Sequence, residues 1–346
     1  MKIPINETII WGGGAIGGVV ASELVRAGER VLLVDIVEPH IDRIRTSGLE
    51  LVGPDGTSTH TIVNACTPDQ LRDQYTRIIL CVKGQHTAAA TQMLKPYLHP
   101  DGWVLSMQNG LTEHRVADIV GAGRTVGAHV NFAADYLEPG RIQYGGKGSI
   151  LVGAYSEDSA RHANDAFSLL SHAFPDTRYT ENLQGFKWSK VCLGAMLFVT
   201  AMSNEPMAEQ FENPNLEPLW RALAEEVLGV ADAVGVQPES FDGFSPDSFM
   251  HVTTRNQVRQ GLDNIAHHCR TAWVAKPHSG IWRDLHVRHR PTEVDPQITD
   301  VVLHAQKMGM QAPIVEHLVS MIREIEMGQR PASPDNALEL LEVVTC

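Results

Sequence analysis

Short β-branched runs and segments of helical period alternate along the first half of the chain. The runs ETIIW, RVLLVD, RIILCVK and GWVLSMQNG are interleaved with amphipathic segments at Ala15–Ala27, Glu38–Arg45 and Thr87–Leu98. Such alternation is typical of parallel strands joined by crossover helices. The pattern therefore predicts an α/β domain built on a doubly wound sheet.

Two stretches depart from this alternation. In GLELVGPDGTSTHTIV, two alternating runs flank Asp55-Gly56, which is a hairpin signal. The stretch TVGAHVNFAADYLEPGRIQYGGKGSILVG predicts a second antiparallel excursion at the sheet edge. Helical spacing returns over Ser156–Phe174.

Helical patterns dominate from Leu183 onward, where β-branched runs become rare. Apolar residues recur with helical period over four long segments: Gly185–Met202, Leu216–Val234, Pro296–Lys307 and Pro313–Met327. We therefore place a domain boundary near Asn182. Residues 1–182 are expected to form the α/β domain and residues 183–346 an all-helical C-terminal domain.

Composition and charge narrow the range of functions. With 43% hydrophobic and 20% charged residues, the 346-residue chain resembles a soluble globular protein. Its odd, scattered set of cysteines is typical of reduced thiols in the cytoplasm. Its net charge of −13 argues against a nucleic-acid partner, and its apolar runs are too short for a membrane span. No two of the five cysteines are spaced as C-x-x-C, so we expect reduced thiols and no metal site.

A glycine-rich loop follows the first predicted strand and opens the first predicted helix. Gly12, Gly14 and Gly17 form the pattern G-x-G-x-x-G, with Ala15 and Ile16 inside it. The first glycine permits the tight turn, the second lets a pyrophosphate approach the backbone, and the third lets helix and strand pack closely. The N–H groups at the helix start would bind the phosphates. A flexible turn with a chance pattern is the alternative, but the surrounding elements favour a Rossmann-type dinucleotide site.

Asp35 ends the second predicted strand, where a carboxylate can accept hydrogen bonds from both ribose hydroxyls of an adenosine. A 2′-phosphate at this place would meet a like charge, so Asp35 favours NAD over NADP. Arg43 and Arg45 follow soon after and could accommodate that phosphate, which leaves NADP as an alternative.

Five motifs occur in the order found in ketopantoate reductases, and the chain resembles that family from about Ile9 to Val319. They are GGGAIG at 12–17, VKGQHT at 82–87, QNGL at 108–111, WSK at 188–190 and TEVD at 292–295. The resemblance implies a Rossmann domain followed by a helical domain, with the active site between them. It also implies hydride transfer between a nicotinamide and a 2-oxo or 2-hydroxy acid, and a homodimer.

The resemblance also assigns roles to four residues. Lys190 matches the catalytic lysine, Glu293 the active-site glutamate, Lys83 a lysine near the nicotinamide, and Asn109 an asparagine that orients cofactor and substrate. The chemistry fits, because a ketone reduced by hydride needs a proton donor and electrostatic support at its oxygen. Each residue also has a plain alternative: a solvated helix lysine, a first-turn carboxylate, a strand-end charge and a turn dipeptide.

The substrate side departs from the family pattern. Asparagines usually stand four and eight residues after the lysine, and here those places are Gly194 and Phe198. We therefore expect a pocket more apolar or bulkier than usual and a changed substrate. Arg283, Arg288 and Arg290 are candidates to pair with a substrate carboxylate, although a solvated loop is the simpler reading.

Two functions remain open from the sequence. The leading hypothesis is an NAD(P)-dependent dehydrogenase or reductase acting on a CH–OH group of a small hydroxy acid, with 2-dehydropantoate as the first substrate to test. The alternative is a non-catalytic NAD-binding sensor or regulatory protein. Such a sensor would need Gly12, Gly14, Gly17 and Asp35. It would not need Lys190 and Glu293, and their joint presence favours the enzyme.

Overall fold

The computed structural model describes residues 5–146, 148–250, 253–271 and 277–345. The chain divides into two compact units, residues 1–183 and residues 184–346. The division falls one residue after the boundary placed from the sequence. The first unit holds the strands, whereas the described residues of the second unit form helices and loops.

Twelve β-strands lie in the described residues of the first unit. They are β1 (Ile5–Trp11), β2 (Val31–Val34), β3 (Leu49–Val52), β4 (Ser58–Thr61), β5 (Asn64–Cys66), β6 (Tyr75–Leu80), β7 (Leu98–Ser106), β8 (Thr125–Asn131), β9 (Ala134–Glu138), β10 (Arg141–Tyr144), β11 (Ser149–Ala154) and β12 (Arg178–Tyr179).

Helices α1 to α5 belong to the first unit, α6 begins at the boundary, and α7 to α13 belong to the second. They are α1 (Ala15–Arg26), α2 (Glu38–Ser47), α3 (Thr87–Leu94), α4 (Glu113–Val120), α5 (Ala160–Ala173), α6 (Leu183–Thr200), α7 (Met207–Glu212), α8 (Glu217–Ala233), α9 (Arg255–Thr271), α10 (Gly280–His286), α11 (Asp300–Lys307), α12 (Pro313–Glu326) and α13 (Asp335–Thr345).

The main sheet has eight strands in the order β12-β11-β8-β7-β6-β1-β2-β5. Neighbours from β5 to β8 run parallel, and β11 is antiparallel to β8. The predicted parallel α/β sheet is thus confirmed. Since β7, β6, β1 and β2 are adjacent and parallel, the loops at their carboxyl ends lie at one edge of the sheet.

A second, four-stranded sheet has the order β4-β3-β10-β9. Strands β3 and β4 are antiparallel, with Leu49 opposite Thr61, and the turn between them contains Gly56 at φ +81°. The hairpin predicted at Asp55-Gly56 is therefore confirmed. The stretch from β8 to β11 was predicted as one antiparallel excursion at the sheet edge, but it divides between the two sheets. Strands β8 and β11 pair in the main sheet, whereas β10 pairs with β3 and β9 in the second sheet.

Several predicted helices begin or end at other residues, and two of them change helix type along their length. The segment Thr87–Leu98 is helical only to Leu94, because Pro96 in the following 3₁₀ turn cannot continue the helical hydrogen bonds and β7 starts at Leu98. The segment Pro296–Lys307 begins as a π-helical turn over Asp295–Thr299 before α11 continues it.

Helix α6 carries buried apolar residues on nearly all sides. They include Val191, Cys192, Leu193, Ala195, Met196, Phe198 and Val199. A helix that is apolar all round belongs in a core. Polar residues on such a helix, Lys187 and Lys190 among them, therefore require a specific explanation.

Four cysteines fall within the described residues, and none of these four is in a disulfide. Burial raises the pKa of the Cys66 and Cys269 thiols to about 11. A protonated, buried thiol is a poor nucleophile, so these cysteines act as core residues. No helix within the described ranges is long and apolar enough to cross a membrane.

Asp165 on α5 joins two strands of the main sheet to that helix. Its carboxylate accepts two hydrogen bonds from Arg77 on β6, at 3.0 and 2.6 Å, and one from the indole N–H of Trp103 on β7, at 2.9 Å. Trp103 is only 1% exposed. Loss of the carboxylate would therefore leave a buried donor and a guanidinium without their acceptor.

We expect Asp165→Ala to lower the free energy of unfolding by about 2 kcal/mol, the cost of buried donors left unsatisfied. The matched control is Glu23→Ala, which removes a carboxylate from the i,i+3 pair with exposed Arg26 and is expected to cost less than about 1 kcal/mol. Urea unfolding of the two variants measures the difference. Equal midpoints would mean that Asp165 does not hold α5 to the sheet.

Candidate active site

The glycine-rich loop between β1 and α1 is shaped by the absence of side chains. Gly12 has φ +99°, a region that favours glycine. A Cβ built on Gly17 would lie 1.9 Å from the carbonyl oxygen of Gly12, so any side chain there would displace the loop. A Cβ on Gly14 would meet nothing within 4 Å, which leaves an open face above the start of α1.

The amino end of α1 is electrostatically suited to an anion. Gly14 is the N-cap and contributes no side-chain hydrogen bond, and no acidic residue stands in the first turn. The N–H groups of Ala15, Ile16 and Gly17 lie in that first turn, where helical hydrogen bonding leaves donors unpaired. The partial positive charge of a helix start adds to their attraction for phosphate.

Asp35 follows β2 and is bonded directly to the glycine loop. Its Oδ2 accepts the N–H of Gly13 at 2.6 Å, and its Oδ1 accepts the N–H of Val37 at 2.9 Å. A carboxylate offers about four lone-pair sites, so each oxygen retains a further acceptor position. The side chain is only partly buried and can take a diol as ligand.

His40 on α2 fixes the same peptide from the other side, and the sequence reasoning missed it. Its Nδ1 accepts the N–H of Gly140 at 2.9 Å, so its Nε2 carries the proton and donates to the carbonyl of Gly13 at 2.8 Å. The side chain is 1% exposed. No sequence signal marked it, because Gly140 lies 100 residues away in the turn between β9 and β10.

Lys83 and Asn109 lie just beyond the carboxyl ends of β6 and β7, at the same sheet edge as the glycine loop. Lys83 is half-buried and Asn109 is exposed. Gln108 donates to the carbonyl of Val82 at 2.8 Å and to Oγ1 of Thr87 at 2.9 Å. Gln108 thereby ties the two loops together.

Arg43 and Arg45, the candidates for a 2′-phosphate, both have hydrogen-bond partners in the first unit. Arg43 donates to Ser47 at 3.1 Å. Arg45 donates to the carbonyl of Ala65 at 2.8 Å and also to Gln70. A phosphate would have to compete with these bonds, which weakens the case for either arginine.

Lys190 on α6 is the most perturbed amine that the structure resolves in the second unit. Burial is the main cause that lowers its pKa to about 7, and positively charged Lys187 lowers it further. The carboxylates of Asp242 and Glu293 act in the opposite direction. An amine that is partly neutral near pH 7 can both give and take a proton.

Two of these electrostatic partners were missed from the sequence. Lys187 is 2% exposed and stands three residues before Lys190, on the same side of the helix. Its place in an apolar helical segment is the sequence signal that could have indicated a buried cation beside Lys190. Asp242 lies in a loop and has φ +37°, a strained value for a residue with a side chain. Nothing in its local sequence connects it to α6.

Glu293 is positioned by its neighbours in the TEVD segment. Thr292 donates from its N–H and its hydroxyl to Glu326 on α12, at 2.7 and 2.6 Å. Asp295 accepts from Arg323, also on α12. Thr292 and Asp295 thus anchor the segment to α12. The negative charge of Glu293 raises the pKa of Lys190.

The residues that the sequence assigned to the substrate side divide into core and ion-pair residues. Phe198 is 0% exposed. Arg288 and Arg290 both donate to buried Asp284, at 3.1 and 3.0 Å, which is a structural role rather than a solvated loop. Among the described residues, no group of three His, Cys, Asp or Glu side chains is arranged as metal ligands.

The sequence model of the protein family Ketopantoate reductase PanE/ApbA matches residues 8–157 of this chain. The sequence model of that family's C-terminal part matches residues 182–326. The 2-dehydropantoate 2-reductase of Halobacterium salinarum is 30% identical over 92% of this chain and 98% of its own length. That of Pyrococcus horikoshii is 26% identical over 92% and 96%.

Solved structures share the fold at lower identity. D-mandelate dehydrogenase with NADH and anilino(oxo)acetate has a TM-score of 0.80, at 20% identity over 93% of this chain and 99% of that one. A ketopantoate reductase of the same family from Ralstonia eutropha has a TM-score of 0.76, at 23% identity over the same shares. With both family models covering most of its length, this chain belongs to the ketopantoate reductase family of oxidoreductases.

Proposed function

We propose that the protein is an NAD-dependent oxidoreductase that interconverts a 2-oxo acid and the corresponding 2-hydroxy acid. The observation that carries this proposal is Lys190, a lysine whose pKa of about 7 results from burial and from a neighbouring cation, with two carboxylates beside it. Within this family of oxidoreductases, such a group suits proton transfer at the oxygen that changes between ketone and alcohol.

The residues at the sheet edge fit a dinucleotide. The bare face over Gly14 and the donors at the start of α1 suit the pyrophosphate. The two free acceptor positions of Asp35 suit the hydroxyls of the adenosine ribose. Lys83 and Asn109 are assigned to the nicotinamide end of the same edge. The cofactor, when bound, supplies or accepts the hydride.

Lys190 handles the proton in both directions. As a ketone gains a hydride at carbon, its oxygen becomes an alkoxide, and the ammonium donates a proton to it and becomes neutral. In the reverse direction, the neutral amine takes the hydroxyl proton while hydride leaves the carbon. Glu293 holds the lysine by charge and is assigned a hydrogen bond to the substrate hydroxyl or to the nicotinamide ribose.

The substrate class is a small 2-oxo acid, and 2-dehydropantoate is the first compound to test, because the curated relatives carry that activity in their names. The D-mandelate dehydrogenase with a similar fold makes mandelate a useful member of the test panel. Arg283, Arg288 and Arg290 stay candidates to pair with the acid's carboxylate, and Arg288 and Arg290 would have to share or leave their bonds to Asp284 to do so.

We also infer that the protein is a homodimer. A ketopantoate reductase of Staphylococcus aureus with this fold is described as dimeric, at a TM-score of 0.69 and 17% identity. Size-exclusion chromatography with light scattering measures the mass directly.

Replacement of Lys190 by Met keeps most of the buried volume but removes the proton donor. We expect turnover to fall about 100-fold or more, as removal of a general acid does. Spectrophotometric NADH oxidation with the acid panel measures this, and Lys307→Met on α11 is the control. Full activity in Lys190→Met would remove the lysine from the mechanism. NADH binding by the wild type with no turnover of any acid would favour a sensor instead.

The pH dependence follows from the same lysine. Oxidation of the hydroxy acid needs the neutral amine, so kcat/KM in that direction should rise with pH and level off above about 7. Reduction needs the ammonium and should decline as pH rises through the same value. Lys187→Met removes a cation and should move both profiles to higher pH, whereas Asp242→Asn should move them to lower pH. If the two variants moved the pH profiles in the same direction, this electrostatic explanation would be contradicted.

Asp35 is expected to select NAD. Asp35→Ser removes both the acceptors and the negative charge, so KM for NAD should rise about tenfold or more while discrimination against NADP falls by a similar factor. Asp118→Ser, which removes an exposed carboxylate on helix α4, is the control. A wild-type enzyme that prefers NADP would refute the selection by Asp35.

A further inference from the structure

Gln297 lies one helical turn beyond Glu293. It belongs to the π-helical turn Asp295–Thr299, and its backbone N–H donates to the carbonyl of Glu293 at 3.1 Å. Residues four apart in this arrangement project from the same face. Turns of π type are frequent at functional sites because they reorient side chains within a helix.

The side chain of Gln297 lies against α6 at a place where α6 has no side chain. Gly194 stands four residues after Lys190, and a Cβ built on it would lie 3.8 Å from Oε1 of Gln297 and 4.0 Å from Cδ1 of Ile298. Lys190 and Gly194 thus share one face of α6, and Glu293 and Gln297 share one face of the facing segment. The amide follows the lysine–glutamate pair by one turn.

The amide is available to a ligand. Within the described ranges of the chain, no hydrogen bond engages the side-chain amide of Gln297, although the residue is half-buried. A substrate oxygen buried here without a partner would cost roughly 1–3 kcal/mol, and the amide of Gln297 can supply that partner. The group offers two donors and one acceptor.

We propose that Gln297 is a specificity-determining residue, whose amide hydrogen-bonds an oxygen on the side chain of the substrate, beyond its 2-oxo carbon. The inference rests on the proposed function of Lys190. The acid's carboxylate is on the carbon next to the ketone and stays beside the lysine. Four residues of helix span about 6 Å, so a group farther along the substrate is the one that reaches Gln297.

The test compares two acids that differ only in such an oxygen. One is 2-dehydropantoate, and the other is 3,3-dimethyl-2-oxobutanoate, which lacks its 4-hydroxyl. Values of kcat and KM are measured for the wild type, Gln297→Met and the control Gln306→Met, an exposed glutamine on α11. A double variant, Gln297→Met with Gly194→Asn, returns an amide from the facing helix, where a Cβ meets no atom closer than 3.8 Å.

We expect the wild type to favour the hydroxylated acid. Gln297→Met should reduce kcat/KM about 10–100-fold for that acid, mainly through KM, and less than about threefold for the other. The affinity for NADH should stay unchanged, and the double variant should recover part of the preference.

The outcomes that would overturn the proposal separate it from the function itself. Equal losses on both acids, no loss on either, or a wild type that turns over only acids without a side-chain oxygen would each refute the role of Gln297 and leave the oxidoreductase intact. No turnover of any acid on the wider panel would refute the proposed function and this inference together.

Discussion

The geometry of the sheet edge depends on a close approach between the first turn of α1 and the loop that precedes it. The carbonyl oxygen of Gly12 occupies the space in which a side chain at position 17 would begin, 1.9 Å away. Because the backbones come this close, α1 starts directly over the end of β1 and directs its unpaired N–H groups at the open face of Gly14. The positions of Asp35 and His40 follow, since both bond the peptide of Gly13.

In the second unit, the free energy of placing a charge in an apolar helix determines the pKa of Lys190. Burial disfavours the ammonium of Lys190, Lys187 disfavours it further, and two carboxylates offset part of that cost. The result is an amine with a pKa of about 7 rather than the usual value of 10.5. Each partner comes from a different segment, so the proton affinity of this group is a property of the folded unit.

Several residues act by holding others in place. His40 connects the turn after β9 to the glycine loop, Gln108 connects two strand ends, and Glu326 anchors the segment that carries Glu293. Gln108 belongs to the QNGL motif, but no motif indicated its connecting role or the roles of His40 and Glu326. Their partners lie from about 20 to 100 residues away, so the chain reveals such bonds only when it is folded.

The sequence by itself determined the parallel sheet, the hairpin at Asp55-Gly56, the helical second half and the family. Each depends on local periodicity or on short motifs with fixed spacing. It also singled out Gly12, Gly14, Gly17, Asp35 and Lys190. Only the tertiary structure decided where β9 and β10 pair, which cation and carboxylates act on the lysine, and that Gln297 lies against the bare face of Gly194. Pairing between distant strands and the electrostatics of buried groups depend on which segments meet in space, and residue order alone does not specify that.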